Sequence, residues 1–149
     1  MPANVPQIDG QAVVIRDYED PDYDELAQSL QDGNLFNADW DSRDNLKNKI
    51  RLHPGSILVA CVGNRVIGCV YTVSDAWAAF IFRLAVRREY RGHGVGQLLM
   101  EAAEDRLRRS GYCEAAIFVN ESDTGLQDFY SQKLRYTPTG SYRCMYKVL

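Results

Sequence analysis

Two histidines are all that the 149 residues contain, and the four cysteines, Cys61, Cys69, Cys113 and Cys144, include no Cys-x-x-Cys pair. That removes the usual ligand sets of a zinc site and any redox motif, so no metal is expected. The thiols read as reduced, with Cys61 and Cys69 acting as small hydrophobes inside apolar runs. No apolar stretch approaches the roughly 20 residues needed to cross a bilayer, and no signal-peptide pattern opens the chain; a cytoplasmic protein without a membrane partner is expected. Lysine is missing between Lys49 and Lys133, which excludes a central phosphate loop ending in Gly-Lys-Ser or Gly-Lys-Thr. Overall positive charge is also missing. The net charge is −3, and between Asp17 and Asp44 the acids Asp17, Glu19, Asp20, Asp22, Asp24, Glu25, Asp32, Asp39, Asp41 and Asp44 face Arg43 as the only base. A nucleic-acid partner is not expected from such a balance.

What is there is ordinary globular composition, 46% apolar and 25% charged. A chain of this length fits one domain that buries about 70% of its unfolded surface without staples. Residues 1–10, with Pro2, Pro6 and Gly10 and no periodicity, are expected to form a loose leader, and residues 11–149 a single domain. The β-branched run Ala12 to Ile15 reads as a strand. Tyr23, Leu26, Ala27 and Leu30 recur at helical spacing after Pro21, and a second helix is expected from Ser42 to Leu52. Ser56 to Val62 and Arg65 to Ser74 flank Gly63-Asn64 as a hairpin, and Trp77 to Val86 supplies a further strand. Gly94 to Arg109 changes to a 3.6-residue period, stopped by Gly111. A strand at Glu114 to Asn120, a helix from Gly125 to Leu134 and two closing strands from Tyr136 to Leu149, turning near Gly140-Ser141, complete the order β-α-α-β-β-β-α-β-α-β-β. This is an α/β (α+β) fold, a mixed, mostly antiparallel twisted sheet of about six to seven strands with about four helices.

The informative stretch is Arg87-Arg88-Glu89-Tyr90-Arg91-Gly92-His93-Gly94-Val95-Gly96-Gln97, between the strand ending at Val86 and the amphipathic helix. A helix start leaves its first N–H groups unpartnered and partially positive, and glycines let a phosphate approach them closely. The dinucleotide fingerprint is excluded because the loop follows an antiparallel meander rather than the first strand of a parallel unit. The plain alternative is a glycine turn that holds nothing. Arg91, Gly92, Gly94 and Gly96 match the Arg/Gln-x-x-Gly-x-Gly/Ala loop of the GNAT superfamily of acyl-CoA-dependent N-acetyltransferases, approached through Leu84-Ala85-Val86. With the element order, the chain resembles that superfamily from Ala12 to Leu149, and within it the bacterial ribosomal-protein-alanine-acetyltransferase-like subgroup.

The resemblance implies acetyl-CoA as cosubstrate, lying in a V-shaped opening between the strand ending at Val86 and residues 114–120. The backbone of Leu84, Ala85 and Val86 would bond the pantetheine arm and polarise the acetyl carbonyl, often at a β-bulge. Arg91 and the loop Gly92, His93, Gly94, Val95, Gly96 and Gln97 would hold the diphosphate. Tyr130 matches the Phe-Tyr of the family's catalytic helix and would be the general acid toward the CoA sulfur; the plain alternative is an amphipathic core tyrosine. Asp123 stands where relatives carry a cofactor-contacting Asn. Leu126 replaces a small alanine, Lys133-Leu134-Arg135-Tyr136 carries one extra residue and an arginine where relatives have Gly, and Phe118 replaces the subgroup's glutamate base. Glu121, or Glu19, Asp22 or Glu25 through water, are the candidates left for that base. The acceptor implied is a primary amine of a small molecule or peptide, entering past the acidic segment 17–44 and residues near Tyr142. An acidic mouth would favour a cationic amine, and an ordinary solvated helix pair is the equal alternative. The resemblance leaves a homodimer open. A non-catalytic acyl-CoA-binding regulatory module is the rival reading, motivated by the same departures.

Overall fold

The computed structural model describes residues 4–140 and 143–149, so the expected turn at Ser141 and the acceptor-side Tyr142 lie outside the described residues. Residues group into two compact units, one ending at Phe118 and the other beginning at Val119.

The first unit opens with a short hairpin, β1 (Gln7–Ile8) against β2 (Gln11–Ala12). Asp9 and Gly10 both take positive φ, 51° and 77°, which is the two-residue turn that matches strand twist. The segment expected to be loose is therefore ordered from Gln7, and Ile8 is buried. Val13 then donates its amide to the Pro6 carbonyl at 2.9 Å, which breaks the expected strand 12–15 and starts β3 two residues later, at Val14–Asp17.

β3, β4 (Ile57–Val62), β5 (Arg65–Ser74) and β6 (Ala79–Val86) form one antiparallel sheet in chain order. Helices α1 (Tyr23–Asp32) and α2 (Arg43–Leu52) carry Leu26, Leu30 and Leu46 into a cluster with Ile57, Val59, Cys61, Cys69, Tyr71 and Ala85. Alternate strand residues thus face these helices, as a period of two requires. Ser42 starts α2 by accepting the Asn45 amide at 3.3 Å. Helix α3 (Val95–Arg109) buries Leu99, Met100, Ala103 and Leu107. It ends in a Schellman motif: Tyr112 N–H bonds the Leu107 carbonyl and Gly111 N–H the Arg108 carbonyl, both at 3.1 Å, with Gly111 at φ 93°.

Beyond α3 the expected strand 114–120 is reduced to one parallel bridge, Ala116 to Phe80, with bonds to Ala79 and Ile81 of 3.0 Å each. In the second unit α4 (Thr124–Asp128) runs into a π-helical turn over Phe129–Lys133, and no closing strand is formed among the described residues. A strand exists only where a partner ladder satisfies its amides, and apolar content alone does not supply one.

One glycine fixes how closely the layers meet. A Cβ at Gly68 would lie 2.8 Å from the Ala85 carbonyl oxygen and 3.1 Å from Leu99 Cδ1. Gly68→Ala should therefore lower stability by about 1–3 kcal/mol through overpacking, read as a lower urea midpoint; an unchanged midpoint would mean that β6 and α3 can separate freely.

Candidate functional site

The site is built on the end of β6 and the loop after it. Cys69 pairs with Ala85, whereas Tyr71 pairs with Phe82, so two steps on β5 oppose three on β6. That is a β-bulge, one extra residue that turns every subsequent side chain to the other face of the sheet. Phe82 packs on the α1–α2 cluster and Ala85 belongs to it, an arrangement that strict alternation forbids for residues three apart. Arg83 takes up the irregularity with φ 57°, the left-handed region that a non-glycine residue enters at a cost. The bulge thus lies at the strand-to-loop approach read in Leu84-Ala85-Val86.

Arg83 is anchored at both ends. Its carbonyl accepts the Cys69 thiol at 3.6 Å, and its Nε donates to Asp41 Oδ1 at 3.3 Å. Asp41, only 1% exposed, also accepts the Asn37 amide at 2.9 Å and the Tyr71 hydroxyl at 3.4 Å. Burial raises the Tyr71 phenol and the Cys69 thiol above their ordinary values, so both stay protonated donors. Sequence reasoning singled out neither Asp41 nor this use of Arg83. An arginine inside the apolar run Phe80-Ile81-Phe82-Arg83-Leu84-Ala85-Val86 was the one available signal.

After Val86 the chain makes a 3-10 turn, Arg88–Tyr90, and then the glycine loop. Gly92 and Gly94 take φ of 80° and 83°, and nothing lies within 4 Å of a Cβ built on Gly92, so the backbone there is open to a close-approaching group. Gly94 is the N-cap of α3, and its carbonyl accepts the first helical bond, from the Leu98 amide at 3.1 Å. The amides of Val95, Gly96 and Gln97 are the donors that a helix start leaves without intrahelical acceptors. Val95 is buried and His93 exposed. The Gln97 side chain bonds Glu101 at 2.9 Å. Arg91 ties the loop down: Nε donates to the Val86 carbonyl at 3.1 Å and Nη2 to the Asp32 carbonyl at 2.8 Å. The Arg88 amide bonds the Asp32 carboxylate at 3.0 Å and holds it below the usual carboxylate range.

In the second unit Asp123 caps α4, accepting the Leu126 amide at 2.9 Å. The helix continues as a π turn over Phe129–Lys133. Arg135 adopts φ 62°, and the Tyr136 amide closes back on the Tyr130 carbonyl at 2.9 Å. Tyr130 is 9% exposed, its ring edge-on to Phe129 at 5.3 Å and Tyr136 at 5.7 Å, and burial pushes its phenol up to about 12.

The candidate bases fare differently. Asp22 is held by a two-pronged bond to Arg16 at 2.7 and 2.8 Å, and Glu25 accepts the Val66 amide and pairs with Arg65. Glu19 is engaged in the capping box that starts the turn Asp20–Asp22. Phe118, 69% exposed, stacks with Phe80 at 6.0 Å and Phe82 at 5.8 Å. The three rings form an aromatic wall. Half of the acidic run is paired with bases as well, Asp17 with Arg106, Asp20 with Arg43 and Lys47, Asp22 with Arg16, Glu25 with Arg65 and Asp41 with Arg83. Among the described residues no cluster of three or more His, Cys, Asp or Glu is arranged to hold a metal ion, and no helix is long and apolar enough to cross a membrane.

The sequence profile of the acetyltransferase (GNAT) family matches residues 14–135. An acetyltransferase of Photorhabdus laumondii is 25% identical over 122 residues, 82% of this chain and 85% of that protein. One of Pectobacterium atrosepticum is 24% identical over 122 residues, 82% of this chain and 86% of that protein. Among solved structures, Ard1 of Thermoplasma volcanium superposes with a TM-score of 0.75 at 22% identity, covering 86% of this chain and 84% of that one. The PaiA N-acetyltransferase of Thermoplasma acidophilum, in complex with coenzyme A, superposes with a TM-score of 0.71 at 19% identity, covering 82% and 88%.

The left-handed glycines give a direct check. Gly92→Ala and Gly94→Ala should each cost about 1–2 kcal/mol of stability through the Cβ clash, measured by urea unfolding. A variant of undiminished stability would show that the turn relaxes to another shape.

Proposed function

The chain belongs to the GNAT acetyltransferase family, and from that premise we propose that it transfers the acetyl group of acetyl-CoA directly to a primary amine of a small molecule or peptide, with Tyr130 as general acid. Dependence on acetyl-CoA comes with the family. The observation that carries the finer reading is the sequence of backbone geometries from β6 into α3: a bulge, two left-handed glycines and a helix start in one continuous stretch.

Acetyl-CoA supplies an activated thioester. The first-turn amides of α3, reached past Gly92, His93, Gly94, Val95, Gly96 and Gln97, suit its diphosphate because unpaired N–H groups and the helix dipole both favour an anion. Leu84, Ala85 and Val86 offer backbone groups to the pantetheine and to the carbonyl oxygen, where charge develops during attack. Arg91 serves the cofactor by holding the loop in place, and Asp123 by starting the helix that bears Tyr130. The phenol, kept protonated by burial, donates a hydrogen bond and then its proton to the departing sulfur as the C–S bond breaks, and the proton that the attacking nitrogen sheds restores the phenol by way of solvent.

The acceptor amine must be neutral when it attacks. The internal pairing of five acids in the segment 17–44 removes much of the support that raw charge gave to a cationic acceptor, and the ring stack of Phe80, Phe82 and Phe118 adds an apolar wall. A cytoplasmic location and a homodimer extend the same proposal; light scattering after size exclusion reads the second.

Thiol release from acetyl-CoA across an amine panel tests the reading. Tyr130→Phe should lower kcat by about 10²–10⁴-fold with little change in the KM for acetyl-CoA. Coenzyme A bound by a wild type that releases no thiol with any amine would favour the non-catalytic module. Because ionisation of Tyr130 begins only near its raised value of about 12, the wild-type rate should rise with pH as the amine loses its proton and then level off. A fall between pH ~8 and ~10 that Tyr130→Phe abolishes would contradict the buried, protonated phenol.

A further inference from the structure

The contact between Arg83 and Asp41 lies beneath the backbone to which the acetyl carbonyl has been assigned, so any part it plays in acetyl transfer rests on that reading. A left-handed, non-glycine residue persists only where its surroundings over-determine it. Here the Cys69 thiol holds the Arg83 carbonyl, and Asp41 holds the guanidinium. Asp41 is itself fixed by the Asn37 amide, by the Tyr71 hydroxyl and, through its own carbonyl, by the Tyr23 hydroxyl at 2.8 Å. Taking a carboxylate and a guanidinium out of water is a poor route to stability when apolar side chains of similar volume would do, and one established use of such pairs is to fix register. Register is the quantity at stake in β6, because loss of the extra residue there would turn the side chains of Leu84, Ala85 and Val86 to the opposite face and re-aim their amides.

We propose that the Arg83–Asp41 ion pair is a positioning device that holds β6 in its bulged register, sets the backbone of Leu84 to Val86 against the acetyl carbonyl, and ties that geometry to the connection between α1 and α2. Neither residue touches the reacting atoms. Both act through the backbone: Arg83 by keeping φ at 57°, Asp41 by keeping Arg83 there. The consequence is a mechanical link between two parts of unit one, since Asp41 sits on the segment that also carries Asn37 and Trp40. A change in that connection is transmitted to the donor site through one ion pair.

Calorimetric titration with acetyl-CoA and, separately, with CoA tests this. CoA presents the same diphosphate and pantetheine but no acetyl carbonyl. Arg83→Ala and Asp41→Asn should weaken both ligands through the pantetheine contacts, and acetyl-CoA about fivefold to tenfold more than CoA, the range of one further lost hydrogen bond. Arg83→Gly, free to adopt positive φ without a clamp, should recover most of that loss. Equal impairment in Arg83→Ala and Arg83→Gly would overturn the proposal, because the side chain would then act other than through φ; so would no change in any variant. Should Arg83→Ala fail to fold, Asp41→Asn compared with the Asp41→Asn/Arg83→Gly pair makes the same comparison. A wild type that binds neither ligand overturns the cofactor reading instead. Amide exchange at Leu84 to Val86 in the unliganded proteins then decides the clamp on its own: faster in Arg83→Ala than in wild type or Arg83→Gly if it holds the bulge, equal in all three if it does not.

Discussion

One extra residue in β6 governs the geometry of the whole stretch from Arg83 to the start of α3. Up to Phe82 the strand obeys the period of two; after Arg83 its parity is inverted, and Ala85 joins the cluster that Phe82 already touches. The inversion leaves the strand's last residues out of step with a straight ladder and delivers the chain to the loop Arg87 to Gly94. Gly68 lets this happen at close quarters, since any side chain there would strike the Ala85 carbonyl oxygen and Leu99. The site is therefore a consequence of how β5, β6 and α3 are layered, with the loop glycines completing rather than originating it.

Charge is organised by the same layering. The acids of the N-terminal third look unopposed in the sequence, yet their partners come from across unit one: Arg65 from β5, Arg83 from β6 and Arg106 from α3. The exposed pairs contribute little each. Their effect is to cancel a field that would otherwise be strongly negative. Asp41 differs in kind, since its burial makes the pairing obligatory, and its partner is the one residue whose backbone is forced into the left-handed region in mid-strand.

The second unit is arranged around Tyr130. The helix widens to a π turn over Phe129–Lys133, Arg135 takes a left-handed conformation, and the Tyr136 amide closes on the Tyr130 carbonyl. The phenol stays buried and protonated.

What depends on neighbours close in the chain is legible in the order of residues: the periods of α1, α2 and α3, the hairpin at Gly63-Asn64, the helix stop at Gly111 and the glycine loop before a helix start. It also contained the Asp9-Gly10 turn, whose hairpin is short enough to pass for a loose end. Packing alone settles that Arg91 ties the loop to Val86 and Asp32, that residues 114–120 meet β6 at one bridge alone, and that Arg83 and Asp41, separated by 42 positions, share a part-buried contact. Spacing reports which side chains share a face of one element. Which faces meet, and which charges must find each other once water is excluded, is set by packing between elements distant in the chain.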